Sequence, residues 1–340
     1  MREIVRSFCS TFFRVIAIGL GIFVLFVVLG IVISSRSTVP HETTLDILPN
    51  HEWNIAPFSP HTPTILKISI NGIIGLDRLT KQDVAAQLID SINFQLKEHQ
   101  VKAILLAINS PGGTVDDADS IYRMLLEYKK RENVPIYAYA SGLCASGGMY
   151  VACAADKIFG APDSIVGHVG VIMPTFFNFS DAMHKIGIQS LTIFSGKGKD
   201  DMNPFRPWRP DESREYQNIT NSIYKRFLKI VSTHRPLLTE KSLIEQGAQV
   251  YPAAQAEELG YIDGIKNSED EVLLLLATKA GIANNYQFVE LKTGGFLADL
   301  FQANTSLLSK GRVEHVVRIP GALHPDLYGK PLVLWHPEAA

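Results

Sequence analysis

Ala103-Ile-Leu-Leu-Ala-Ile108 is a continuous apolar run. A strand of that kind suits burial on both faces, which is the environment of a parallel sheet covered by helices. The flanking segments supply the helices. Thr80 is placed to cap one carrying Val84, Leu88, Ile92 and Leu96 at four-residue spacing. A second helix runs through Ile121, Leu125 and Tyr128 and ends at Lys129-Lys130-Arg131, where positive charge suits the carbonyl end of the dipole. Strands are expected over Thr64–Gly72, Pro135–Ala140 and Lys157–Phe159, with a small-residue helix starting at Ser146. Strands alternating with helices predict an α/β fold built on parallel crossovers. Ligands of such folds sit outside the carboxyl ends of the strands.

Two glycine-rich turns follow directly after predicted strands. In Asn109-Ser-Pro-Gly-Gly-Thr114, Pro111 fixes the chain direction, and Gly112 and Gly113 free backbone N–H groups to point at a ligand. Pro-Gly also makes a plain type II turn without any ligand. In Ala145-Ser-Gly-Gly-Met149 a serine opens a helix next to the Gly147 N–H, where the dipole favours a developing oxyanion. Tight helix–strand packing explains the same small residues equally well. Together the two turns face one site.

The N-terminus sets the compartment. Residues 15–35 carry no charge, about the length needed to cross a bilayer as a helix and longer than a secretory signal's apolar core. Arg2, Arg6 and Arg14 precede it, so the positive-inside rule leaves residues 1–14 in the cytoplasm and everything after Arg36 outside it. Five prolines among residues 36–63 predict an extended stalk. The rest divides into a catalytic domain over 64–287 and a C-terminal extension, 288–340, suited to an oligomer contact. The expected location is the inner membrane, single-pass, with an extracytoplasmic catalytic domain. A net charge of −2 with no basic stripe argues against nucleic acid as a partner. Cys9, Cys144 and Cys153 form no disulfide framework, and the last two read as small packing residues.

A serine at a helix mouth needs a base. Phe194-Ser-Gly-Lys-Gly-Lys-Asp200 offers Lys197 and Lys199 in a glycine-rich setting. A lysine serves only when neutral, which requires desolvation or a nearby positive charge. Asp200 and Asp201 oppose that if they touch it, so they should face elsewhere. A solvated charged loop explains the same segment.

The set Asn109–Gly113, Ala145–Gly148, Gly167–Ile172, Ser195–Asp200 and Pro204-Phe-Arg-Pro207, in this order and spacing from about Ile65 to Ile265, resembles the signal peptide peptidase A family, including its SohB-like members. The resemblance implies a crotonase/Clp-protease-like fold, a serine–lysine dyad and ring- or dome-shaped homo-oligomers. The dyad falls on Ser146 and Lys199, and the oxyanion donors on Gly113 and Gly147. It implies hydrophobic peptides, such as remnant signal sequences, as substrates, and no cofactor or metal. One departure stands out: where the family has a serine that hydrogen-bonds the lysine, this chain has His168. A neutral imidazole there orients the lysine, a protonated one lowers its pKa, and either change is also compatible with lost activity.

Val169, Val171 and Ile172 are expected beside the dyad, where an extended peptide pairs edge-on. Asp211 is expected to cap a long helix with Tyr216, Ile219, Ile223, Phe227 and Ile230 on one face. Two rival readings keep the fold. One is a non-catalytic membrane scaffold, motivated by His168. The other is a crotonase-type acyl-CoA enzyme, which lacks support because no glutamate lies near either glycine-rich turn.

Overall fold

The structure is a computed structural model and describes residues 43–96, 100–283, 285–293 and 331–334, together with residues 14, 16, 18–23 and 25. The chain divides into two compact units, residues 1–42 and 43–340. In the first, residues 18–23 are helical. Most of the expected anchor over 15–35 lies outside the described residues, and among those described no helix is long and apolar enough to cross a membrane.

The second unit opens with β1 (Thr43–Leu48), β2 (Thr64–Asn71), α1 (Lys81–Asn93), β3 (Val101–Ser110), β4 (Gly112–Thr114) and α2 (Val115–Glu132). Next come β5 (Ile136–Ala145), α3 (Gly147–Ala152), β6 (Lys157–Gly160), β7 (Ile165–Gly167), α4 (Ser180–Lys185) and α5 (Arg214–His234). The last elements are α6 (Glu240–Gln246), β8 (Val250–Pro252), α7 (Ala253–Leu259), β9 (Gly264–Ile265), α8 (Glu269–Lys279), β10 (Gln287–Thr293) and β11 (Leu332–Leu334). The main sheet runs β1-β10-β2-β3-β5-β6-β9. Every neighbouring pair along it is parallel except β1 with β10, and β7 continues alongside the far end of β5. The sheet is mostly parallel, as expected.

Alternation along β3 explains how its apolar run is used. Ile104, Leu106 and Ile108 face a core shared with Val84, Leu88, Ile121 and Leu125 from α1 and α2. Ala103 and Leu105 face the opposite core with Val272, Leu273 and Leu276 of α8. Both faces are covered, and truncating Leu105 to alanine is expected to cost roughly 2–5 kcal/mol. Thr80 caps α1 in a reciprocal arrangement with Asp83. Thr114 caps α2, which stops at the left-handed Asn133.

Several expectations shift. Thr43–Leu48, read as part of a stalk, is the edge strand β1, because Thr-Thr-Leu-Asp-Ile-Leu alternates well enough to pair with β10. Gln287–Thr293 falls at the end of the expected domain and the start of the extension. It is an interior strand with Phe288, Val289 and Leu291 buried. Asp211 does not cap α5: the helix begins at Arg214 with Ser213 before it, and the Asp211 carbonyl accepts from Arg214 N. Only the later half of α5 packs, through Phe227, Leu228 and Val231, while Ile219 is exposed.

Candidate functional site

The two glycine-rich turns meet at the carboxyl ends of β3 and β5. Ser110 is in register with Cys144. Asn109 Oδ1 accepts from the Leu143 N–H at 3.0 Å and ties one turn to the other. A Cβ at Gly148 would stand 2.9 Å from the Ser110 carbonyl, so α3 packs on the first turn only because that position is glycine. Gly113 is tighter still: a Cβ there would fall 1.9 Å from the Ile74 carbonyl. Ile74 bonds β4 through its own N–H to Gly112 and its carbonyl from Thr114. The Gly113 N–H is thereby left on the opposite side of β4.

Ser146 sits where β5 breaks into α3. Its backbone has φ 55° and ψ −113°, a conformation costly for a residue with a Cβ. Two bonds hold it there: Ser146 N–H donates to the Gly167 carbonyl at 2.8 Å, and its own carbonyl accepts from Tyr150 N–H at 2.9 Å. The side chain is buried, yet Oγ has no hydrogen-bond partner. A buried hydroxyl left unpaired costs free energy, and strain combined with an orphan polar atom is a common signature of a working position. The Gly147 N–H opens α3 directly beside it.

His168 occupies the same strand end. Gly167 is in register with Ala145, so Ser146 and His168 are the next residues of adjacent parallel strands. His168 also has φ 55°, is fixed by its N–H to the Gln249 carbonyl at 2.6 Å, and leaves Nδ1 buried without a partner. Burial pushes its pKa below the usual histidine value, so the ring is neutral at pH 7. Among the described residues, Ser146 Oγ, His168 Nδ1 and Gln87 Oε1 are the buried side-chain polar atoms lacking a partner. Two of the three lie at this one spot.

The lysines behave differently. Lys197 and Lys199 are exposed on the turn after α4. Among the described residues neither side chain forms a hydrogen bond or ion pair. Asp200 and Asp201 do face elsewhere. Asp200 takes Arg206 Nε at 2.5 Å and Asn203 Nδ2 at 2.6 Å, while Asp201 pairs with Arg209. Arg206 also reaches Glu212 at 2.6 Å. Burial alone raises the Glu212 carboxyl, but Arg206 and the N–H groups of Met202 and Arg209 outweigh it and hold its pKa down to about 2. The Pro204–Pro207 stretch is thus an ordered loop, one of the two roles its sequence suggested beside a subunit contact, and Arg206 clamps it.

Of the expected groove residues, Val169 turns into the core, Val171 packs against it and Ile172 is half exposed. Ile172 does pair with an extended segment, but that segment is the chain's own β11, which sequence reasoning missed. Cys144 and Cys153 are free and buried, as expected of packing residues.

This sheet, with both turns at its carboxyl ends, is matched over residues 63–165 by the model of the Clp protease family, and the fold is a Clp-like α/β fold. Residues 128–282 match the model of peptidase family S49. A putative protease of Methanocaldococcus jannaschii is 35% identical over 55% of this chain and 59% of its own. A putative signal peptide peptidase SppA of Enterococcus faecium is 34% identical over 61% of each. A solved ClpP1 mutant from Listeria monocytogenes covers 60% of this chain and 92% of its own at 18% identity, with a TM-score of 0.40. Over residues 128–282 the chain is similar to peptidase family S49, and the curated relatives it matches include SppA-like proteases. It spans about three fifths of the length of the two curated relatives named.

Proposed function

We propose that this protein is a membrane-anchored serine endopeptidase that cleaves apolar peptides, with Ser146 as nucleophile and Lys199 as its base. The observation that carries the reading is Ser146 itself. It is a strained residue at a helix mouth whose buried Oγ is reserved for no structural bond, within the segment that matches the S49 model.

In this reading neutral Lys199 takes the Ser146 proton and Oγ attacks the peptide carbonyl carbon. The N–H groups of Gly113 and Gly147 hold the oxyanion, and the leaving amine takes the proton back from Lys199. Water then hydrolyses the acyl-enzyme. His168, neutral through burial, accepts a hydrogen bond from the lysine and orients it. Lys199 is exposed within a single chain, so its desolvation comes from assembly: a neighbouring copy covers the 170–212 segment or receives its lysine. The apolar stretch over residues 15–35 anchors the protein, with the catalytic unit on the extracytoplasmic face.

Fluorophosphonate labelling of detergent-purified protein, with the modified residue mapped by mass spectrometry, tests this. The label is expected on Ser146 and absent from Ser146→Ala; undiminished labelling of that variant sinks the assignment. A second reading, a scaffold of the same fold without turnover, is favoured by the exposed Lys199 and by His168. Assembled protein that takes no label at Ser146 selects it.

A further inference from the structure

α3 is too short to fix its own direction. Its six residues, Gly147-Gly-Met-Tyr-Val-Ala152, fall well below the length at which a helix is stable alone, and Ser146 gives it no side-chain cap. Yet this helix holds the strained Ser146 at its mouth, in a backbone conformation that persists only where the surroundings impose it. At the glycine end the constraint is close packing, with Gly148 against the Ser110 carbonyl. One turn beyond Ser146 stands Tyr150, the one polar side chain of the helix, whose N–H donates to the Ser146 carbonyl.

Tyr150 is buried, and its hydroxyl donates to Asp119 Oδ1 at 2.6 Å. Burial first, and then the bond to Asp119, raise its pKa, so the hydroxyl keeps its proton and serves as the donor. Asp119, on α2, is buried too and meets two arginines. Arg226 of α5 reaches the same Oδ1 at 2.5 Å, and Arg123 reaches Oδ2 at 2.8 Å. The tyrosine ring lies tilted against Phe227 of α5, with centroids 4.9 Å apart, and edge-on to Tyr122 of α2 at 5.5 Å. Three helices thus meet at one hydroxyl and one carboxylate. Such a buried ionic cluster adds little net stability, because desolvation offsets much of the attraction. What it supplies is direction.

We propose that Tyr150 is a positioning residue for Ser146: through Asp119 and Arg226 its hydroxyl locks the helix of the nucleophile to α2 and α5. This rests on the peptidase reading above. The lock has a second end. α5 starts just after Glu212, the carboxylate that Arg206 clamps together with Asp200, the neighbour of Lys199. The helix that steadies the serine therefore follows directly on the loop that carries the base.

The test uses the full chain. Tyr150→Phe removes the hydroxyl and keeps the ring contacts. The limiting rate of fluorophosphonate labelling at Ser146 is expected to fall about tenfold, the scale for one hydrogen bond to a charged partner. The probe concentration giving half of that rate should change less than about twofold, since geometry rather than binding is lost. Tyr122→Phe is the control. Tyr122 is buried in the same cluster, but its hydroxyl bonds His234 Nε2 at 2.7 Å, so its loss should leave labelling unaltered. A Tyr150→Phe protein labelled at Ser146 as fast as the parent chain overturns the proposal and leaves the peptidase reading standing. Equal losses in the two tyrosine variants overturn it as well, because any buried hydroxyl would then serve. A parent chain that takes no label refutes the nucleophile instead, and hydrogen exchange at the Tyr150 amide then decides on the lock. Faster exchange in Tyr150→Phe than in the parent supports it; equal exchange overturns it. Should Tyr150→Phe fail to fold, the exposed Arg226 takes its place. Arg226→Ala should slow the limiting rate with the half-rate probe concentration unchanged, and full-rate labelling of that variant overturns the lock.

Discussion

Ser146 and His168 reach the same unusual backbone region from neighbouring strands, and each leaves a buried polar atom unpaired. Nothing in folding alone rewards that pairing of strain and lost hydrogen bonds, so the site spends stability for geometry. His168 gives the cost a pH signature. Its folded pKa lies below the ordinary 6.5 because burial disfavours the imidazolium. His234, bonded to the Tyr122 hydroxyl at 2.7 Å, is lowered first by burial and then by Lys129 and Arg235. The unfolded chain therefore binds more protons than the folded one as pH drops below about 6.5, and stability falls with pH through that window. Denaturant midpoints between pH 7.5 and 5 should show this decline, and His168→Gln should flatten it. An unchanged slope in that variant would mean that His168 titrates as it does in the unfolded chain. Ser146 is singled out in the sequence by the glycine pair that follows it after a strand, a pattern that tight helix–strand packing explains equally well. The neutral state of His168 is not legible there, since burial depends on Gln249 and the rest of β7's surroundings, far away in sequence. Gly113 is the other single-residue commitment: Gly113→Ala drives a methyl into the Ile74 carbonyl and is expected to cost roughly 1–3 kcal/mol or more in denaturant unfolding.

At the scale of elements, the parts read correctly from sequence are those whose signal is internal to them. The β3 run, the Thr80 cap and the charged end of α2 need no distant partner to be recognised. β1, β10 and β11 are short or mixed in polarity, and they become strands because an edge is offered by residues hundreds of positions away. α5 shows the opposite error. Its apolar stripe is continuous in sequence, yet only the stretch from Tyr224 onward packs against the core. The Asp200–Arg206–Glu212 clamp is another tertiary product, joining side chains that have no local reason to meet. It holds the loop that follows Lys199. Arg206→Ala is expected to quicken hydrogen exchange across 199–212 and to lower peptide turnover, while the unfolding midpoint of the sheet barely moves. Unaltered exchange in that loop would show that Arg209, which also reaches Glu212, suffices.

At the scale of the molecule, the exposed side of the 172–194 segment is hard to reconcile with an isolated chain. Phe177, Leu191 and Ile193 stand out into solvent, the last two at 87% and 90% exposure, and Ile219 on the free half of α5 adds to the apolar surface. Monomers rarely keep such patches uncovered. Lys199 follows that segment closely in sequence, so on the proposed reading one event would account for both problems: a second copy burying the apolar side chains and supplying the dry surroundings a neutral lysine requires. Whether serine and lysine then belong to one chain or two follows from mixing. Ser146→Ala and Lys199→Ala proteins are each expected to be inactive. If the dyad forms across copies, oligomers assembled from both regain part of the original peptide cleavage, because some junctions pair an intact serine with an intact lysine. Well-assembled mixtures with no activity would place both residues in one chain. Leu191→Asp or Ile193→Asp supplies the control: either should shift the protein to smaller species in analytical ultracentrifugation and lose cleavage at the same time. Loss of assembly with cleavage retained would show that the lysine is neutralised within a single copy.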